Sequence, residues 1–167
     1  MRLRIVIIAA LLLIGSIASA DVYTQIGMIN PKMSEATRVE LAHYIVEACT
    51  DYKLYCNIFT AILAQESMFQ IEAINKNSSD YGIGQINIKT IRSYKFDIHL
   101  LLTDLRYSIR ASAKVLSWFK RYKSKDANWQ CRYNVGTGVL KGSKLKTCTK
   151  YVNMVQRYQF NTLIAKD

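Results

Sequence analysis

The segment Ile58-Phe59-Thr60-Ala61-Ile62-Leu63-Ala64-Gln65, closed by Glu66 and Ser67, constrains this chain more than any other stretch. Ile58, Phe59, Ile62 and Leu63 recur at helical spacing and mark the buried stripe of a helix. Glu66 stands four residues after Ile62 and three after Leu63, so it projects from the same stripe. Poor solvation there penalises the charged form of a carboxyl and raises its pKa. A carboxyl that keeps its proton near neutral pH has the state a general acid requires. The plainer alternative is a helix-end glutamate whose head reaches water, the usual fate of that residue.

The N-terminus reads as a secretory leader. Arg2 and Arg4 precede an apolar stretch from Ile5 to Ile14, and Ala18-Ser19-Ala20 supplies the small residues a signal peptidase needs. Cleavage is expected after Ala20, because the apolar run is short for a retained membrane anchor. Residues 21–167 then form one compact domain with one core. With Arg2 and Arg4 removed, 23 basic residues become 21 against 12 acidic ones, a net charge of about +9. A basic secreted chain suits a polyanionic partner such as the cell wall. The cations are scattered, apart from Lys120–Lys125 and Lys141–Lys150, and no nucleic-acid motif accompanies them, so no specific nucleic acid is expected.

Four cysteines, Cys49, Cys56, Cys131 and Cys148, allow three pairings. Proximity favours Cys49 with Cys56 across a helix-to-helix turn, and Cys131 with Cys148 across a Gly/Lys-rich loop. An oxidising compartment favours disulfides over metal ligation. The cysteine spacings do not match a zinc site, so neither metal nor cofactor is expected.

The remaining periodicity predicts a mostly α, single-domain chain. Ser34 can cap a helix through about residue 48, with Val39, Ala42, Ile45, Val46 and Cys49 inward. A turn over 50–53 precedes the Glu66 helix, and 75–80 reads as a polar loop, with a short hairpin around 74–84. A short helix should start near Gln85. The longest should cover 103–122, with Leu105, Ile109, Ala113, Leu116 and Phe119 keeping the rhythm. Another covers 128–134, ended by Gly136, Gly138 and Gly142, and a last one spans 149–164.

Three segments carry the chemistry: Glu66-Ser67, Gly82-Ile83-Gly84-Gln85 and Tyr133-Asn134-Val135-Gly136. Gly82 and Gly84 permit positive φ and let a sugar approach the backbone. Gln85 offers a donor and an acceptor to an N-acetyl amide. Tyr133 and Asn134 can supply a flat ring and an amide, or else a core tyrosine and a helix cap. In this order the segments resemble the Glu-Ser, Gly-Leu-Met-Gln and Ala-Tyr-Asn-Ala-Gly motifs of the lytic transglycosylases with the goose-lysozyme-like fold. Tyr151 fits that family's C-terminal tyrosine, and the resemblance covers about 35–158. Gly84 replaces the usual methionine, which should thin one wall of the sugar groove. Arg132 and Val135 replace small residues.

The resemblance implies a lysozyme-like fold and peptidoglycan glycan strands as substrate. Glu66 would be catalytic, with Ser67, Tyr81, Gly82, Gln85, Tyr133, Asn134 and Tyr151 around the sugar. Glu66 would protonate the bond between N-acetylmuramic acid and N-acetylglucosamine, the N-acetyl carbonyl would stabilise C1, and Glu66 would then deprotonate the C6 hydroxyl to close a 1,6-anhydro ring. The short, secreted, cysteine-containing form is most similar to the specialised enzymes of type III and type IV secretion or conjugation systems, placing it in the periplasm or outside the cell. Two rivals stand beside this reading. Glu66 with Asp80 could form the carboxylate pair of a hydrolase, or the domain could be a wall-binding module without turnover.

Overall fold

The computed structural model describes residues 19–122 and 129–164. The expected leader lies outside them except for its last two residues, and a first helix, α1, spans 19–29 across the expected cleavage point. Among these residues no helix is long and apolar enough to cross a membrane.

Ser34 caps α2 (Glu35–Tyr52) as expected, its hydroxyl accepting from the Thr37 amide. The helix runs through the expected turn and stops only at Lys53, which adopts left-handed backbone at φ 54°. Leu41, Ala42, Ile45, Ala48 and Cys49 form its buried stripe. Val39, expected inward, is 54% exposed, because it lies about 120° around the helix from Ile45.

Helix α3 (Cys56–Ser67) is buried from Phe59 through Ala64 without a break, so it is a core helix rather than an amphipathic one. It packs on α2 and on α8 (Gly142–Ile164), the longest described helix at 23 residues. That length corrects two expectations: α8 starts seven residues before 149, and Gly142 opens this helix instead of breaking another. The expected 103–122 helix is α6 (Leu105–Tyr122), starting two residues later than expected, and an unforeseen short helix, α5 (Ile98–Thr103), precedes it across Asp104. The break between the two has a local cause, because the Asp104 carboxylate accepts from the Tyr107 amide and starts α6.

A small antiparallel sheet joins β1 (Ile74–Asn75), β2 (Asp80–Tyr81) and β3 (Ile86–Asn87) in that order. The hairpin is where the sequence suggests it, and the third strand displaces the helix expected near Gln85. Helix α4 (Ile88–Tyr94) starts three residues later, capped by the Asn87 side chain. A 3₁₀ turn, Trp129–Cys131, leads into α7 (Arg132–Val135).

Helix α6 divides the interior. Ile109, Ala113 and Leu116 face the larger core, built with α1, α2, α3 and α8, while Ala111 and Val115 join Ile86, Ile91 and Leu101 in a smaller one. Tyr133 packs against both. Arg106 pairs with Glu47, and Arg110 reaches Glu47 at 3.1 Å and Asp51 at 2.5 Å, clipping α6 to α2 from outside.

Cys131 and Cys148 are disulfide-bonded and fully buried, tying the 3₁₀ turn to α8. Cys49 and Cys56 are free thiols, which corrects the second expected bridge. Cys49 is held in the last turn of α2 and Cys56 opens α3 across the short turn between them. The contact with Cys56, then burial, pushes the Cys49 thiol up, and the same contact holds the Cys56 thiol down.

Candidate active site

Glu66 sits in the last turn of α3, and the chain turns sharply just beyond it. Met68 and Phe69 both adopt left-handed backbone, at φ 53° and 67°. Such backbone at two successive residues with side chains is costly and tends to mark functional turns. Phe69, 6% exposed, anchors the turn in the core. The Met68 amide closes the helix by donating to the Ala64 carbonyl at 2.8 Å.

The Ser67 hydroxyl donates to the Ile83 carbonyl at 2.8 Å, so it fastens the glycine loop to the end of α3 instead of facing a ligand. Within that loop Gly82 takes φ 76°, and a Cβ there would lie 2.6 Å from the Leu101 carbonyl oxygen. Gly84 is different: its φ is ordinary, but a Cβ would stand 2.1 Å from Ser112 Oγ and 2.7 Å from the Tyr133 hydroxyl. Its side-chain direction therefore points into α6 and α7, not into the cleft, which corrects the expected thinning of a groove wall. The strained position is Gln85, at φ 46°. Its Nε2 donates to the carbonyls of Ala73 and Gly82, both at 3.0 Å, so the donor side of the amide closes the loop.

A cleft of about 540 Å³ opens over Glu66, a size suited to a small ligand or part of a polymer. Gln85, Tyr133, Asn134 and Asp80 line it with Glu66, as do Asn87 and Lys89. Tyr133 is fixed by donating its hydroxyl to the Gly84 carbonyl at 2.8 Å, and burial pushes its pKa up. Of the residues expected around the sugar, Ser67, Tyr81, Gly82 and Tyr151 stand behind the lining rather than in it. Tyr81 is turned away because successive residues of a strand face opposite sides. Asp80 faces the cleft, and Tyr81 packs against the smaller core.

Tyr151 reaches Glu66 from α8, donating its hydroxyl to Oε1 at 2.6 Å. Burial pushes the Glu66 pKa up to about 7, the Tyr151 hydrogen bond opposes this, and the nearby Asp80 charge adds to it. Near neutral pH the carboxyl is therefore divided between a protonated form that can donate and an ionised form that can accept. Asp80 is held at both oxygens: Ser78 Oγ donates to Oδ2 at 2.5 Å and Asn87 Nδ2 to Oδ1 at 2.8 Å. Asn87 could not be found from the sequence, since only the pairing of Asp80 with Asn87 across β2 and β3 brings them together. Lys89 follows from the Asn87 cap, which starts α4 so that its first turn borders the cleft. Among the described residues no group of three His, Cys, Asp or Glu side chains is placed to hold a metal ion.

The family model described as Transglycosylase SLT domain matches residues 43–152, a span containing Glu66, the glycine loop, Tyr133, Asn134 and Tyr151. No curated protein and no solved structure matches the chain. The mostly α fold with its small three-stranded sheet is the lysozyme-like fold of this family. The chain belongs to the transglycosylase SLT domain family, whose members act on peptidoglycan.

Proposed function

We propose that the chain cleaves the β-1,4 bond between N-acetylmuramic acid and N-acetylglucosamine and leaves a 1,6-anhydro end. The observation that carries this is a single desolvated carboxyl, Glu66, poised near neutral pH beside a Tyr151 donor. Protonated Glu66 gives its proton to the glycosidic oxygen as the C1–O bond breaks, and the released sugar leaves with a new hydroxyl. The N-acetyl carbonyl of the muramic residue holds C1 meanwhile, as in glycosidases without a carboxylate nucleophile. Ionised Glu66 then takes the proton of the C6 hydroxyl, whose oxygen bonds to C1, so the acid is regenerated and no water is consumed. The Tyr151 hydroxyl steadies the ionised form between the two steps.

Asp80 favours the hydrolytic reading in one respect, since it shares the cleft. Its hydrogen bonds from Ser78 and Asn87 give it a task within the hairpin and weigh against a nucleophilic role. In our reading it acts through its charge on Glu66. Residues 1–20 would serve as the leader, lost after Ala20, so that the enzyme works in the periplasm or outside the cell, opening the wall locally for a type III or type IV secretion or conjugation apparatus.

Mass spectrometry of muropeptides released from purified wall tests the chemistry. Anhydro ends support the proposal, reducing ends mean hydrolysis by Glu66 with Asp80, and wall bound without release means a non-catalytic module.

A further inference from the structure

Charge is divided unevenly along this chain. Between Asp126 and Asp167 there is no acidic residue, and the same stretch holds seven basic ones, seven of the formal net charge of +11. Most of that stretch is α8, and the fold sorts its side chains by face. Cys148, Tyr151, Val152 and Val155 are buried, and Tyr151 points inward to Glu66. Lys146, Lys150 and Arg157 are exposed. At about 100° of turn per residue they stand about 100–140° round the helix from Tyr151. A hollow of about 720 Å³ lies over this outer face, lined among the described residues by the three cations with Leu145, Thr149, Asn153 and Met154. No ion pair among the described residues engages the three cations. Apolar side chains are set among them. Leu145, between Lys144 and Lys146, is 44% exposed, and Val139, two residues before Lys141, is 72% exposed.

We propose that the outer face of α8 docks the protein on an anionic phospholipid bilayer. Charge complementarity supplies the attraction. Each Lys or Arg near such a surface strengthens binding about fivefold, and no acidic residue of α8 offsets it. The apolar side chains select a bilayer over a soluble polyanion. Leucine and valine gain by leaving water beneath the headgroups, while lysine stems lie along the boundary and their ammonium groups meet the phosphates. A charged polymer in water would meet the cations and leave Leu145 and Val139 exposed. Tyr151 leaves α8 on its other side, so the docked chain keeps the Tyr151–Glu66 hydrogen bond. The docking is independent of the reaction assigned to Glu66.

Vesicle sedimentation of the full chain tests this, with pure phosphatidylcholine against equal parts phosphatidylcholine and phosphatidylglycerol. The ratio of the two partition coefficients is read, so that apolar binding by residues 5–14 cancels. The wild type should favour the anionic vesicles and lose that preference at high salt. Lys146→Gln combined with Lys150→Gln should lower the ratio about thirtyfold, about fivefold per lysine. Leu145→Ser should weaken binding to the anionic vesicles about fivefold and leave binding to soluble polyphosphate unchanged. All three side chains are exposed, so the fold tolerates their replacement, and circular dichroism should match the wild type. Equal affinity for the two vesicles, or a ratio that the double variant leaves unchanged, would overturn the proposal. So would a Leu145→Ser variant that binds both vesicles and polyphosphate like the wild type, because the face would then serve a soluble polyanion.

Discussion

Replacing Glu66 by glutamine should do two opposite things, and their pH dependence is the sharper test. Wall cleavage should disappear at every pH, because glutamine can neither donate nor accept the travelling proton. Stability should rise, but only above the acid range. Glu66 titrates near 4.5 when exposed and is pushed up to about 7 in the fold, chiefly by burial. Below about 4.5 it is protonated in both folded and unfolded chains and differs little from glutamine. As pH rises toward 7 the unfolded chain loses this proton first, so the folded state binds more protons and wild-type stability falls. Above 7 the loss levels off. At 1.36 kcal/mol per pH unit, the interval from 4.5 to about 7 corresponds to about 3 kcal/mol in favour of the variant. Urea unfolding of both proteins at pH 4.5, 6 and 8.5, with the disulfide intact, reads this directly. A stability difference that stays flat across that range would refute a desolvated Glu66, and with it the basis for its role as acid.

Tyr151→Phe removes the hydrogen bond that lowers the Glu66 pKa. The alkaline limb of the kcat/KM profile should move to higher pH with reduced maximal activity, and an unmoved limb would detach Tyr151 from Glu66. Asp80→Asn removes a charge that raises the same pKa, so that limb should move down while most activity survives. Near-complete loss in Asp80→Asn would favour the two-carboxylate hydrolase. Gly82→Ala forces φ 76° on a residue with a side chain and sets its Cβ 2.6 Å from the Leu101 carbonyl; denaturation should register a loss of about 1–3 kcal/mol from the backbone alone. Opening the Cys131–Cys148 bridge by paired serine substitution should lower stability by about 3 kcal/mol. It should also lower activity, because α7 carries Tyr133 and Asn134, and wild-type turnover would separate the bridge from the cleft.

Much of the fold was legible because it rests on short-range physics. Ser34 announced α2, and the apolar run to Gln65 announced the core helix that ends at Glu66. The boundaries that went wrong depend on contacts a local pattern does not carry. Gly142 begins α8 because the Cys131–Cys148 bridge and the larger core hold that helix in place despite its glycine and lysines. Asp104 separates the unforeseen α5 from α6 because capping competes with propagation at that one residue.

For the site, the order of residues alone fixed that a glutamate would close a buried helix and that a glycine loop and a Tyr-Asn pair would accompany it. Their division of labour was decided only by the tertiary structure. Ser67, Gln85 and Tyr133 all give hydrogen bonds to backbone carbonyls around the 73–84 segment, so they build the loop as much as they meet a ligand. Asn87 and Lys89 reach the cleft through strand register and the helix start that follows it. Even the state of Glu66 is a long-range property: burial raises its pKa first, and the two groups that adjust it, Tyr151 of α8 and Asp80 of β2, become its neighbours only once the two cores have closed around α6.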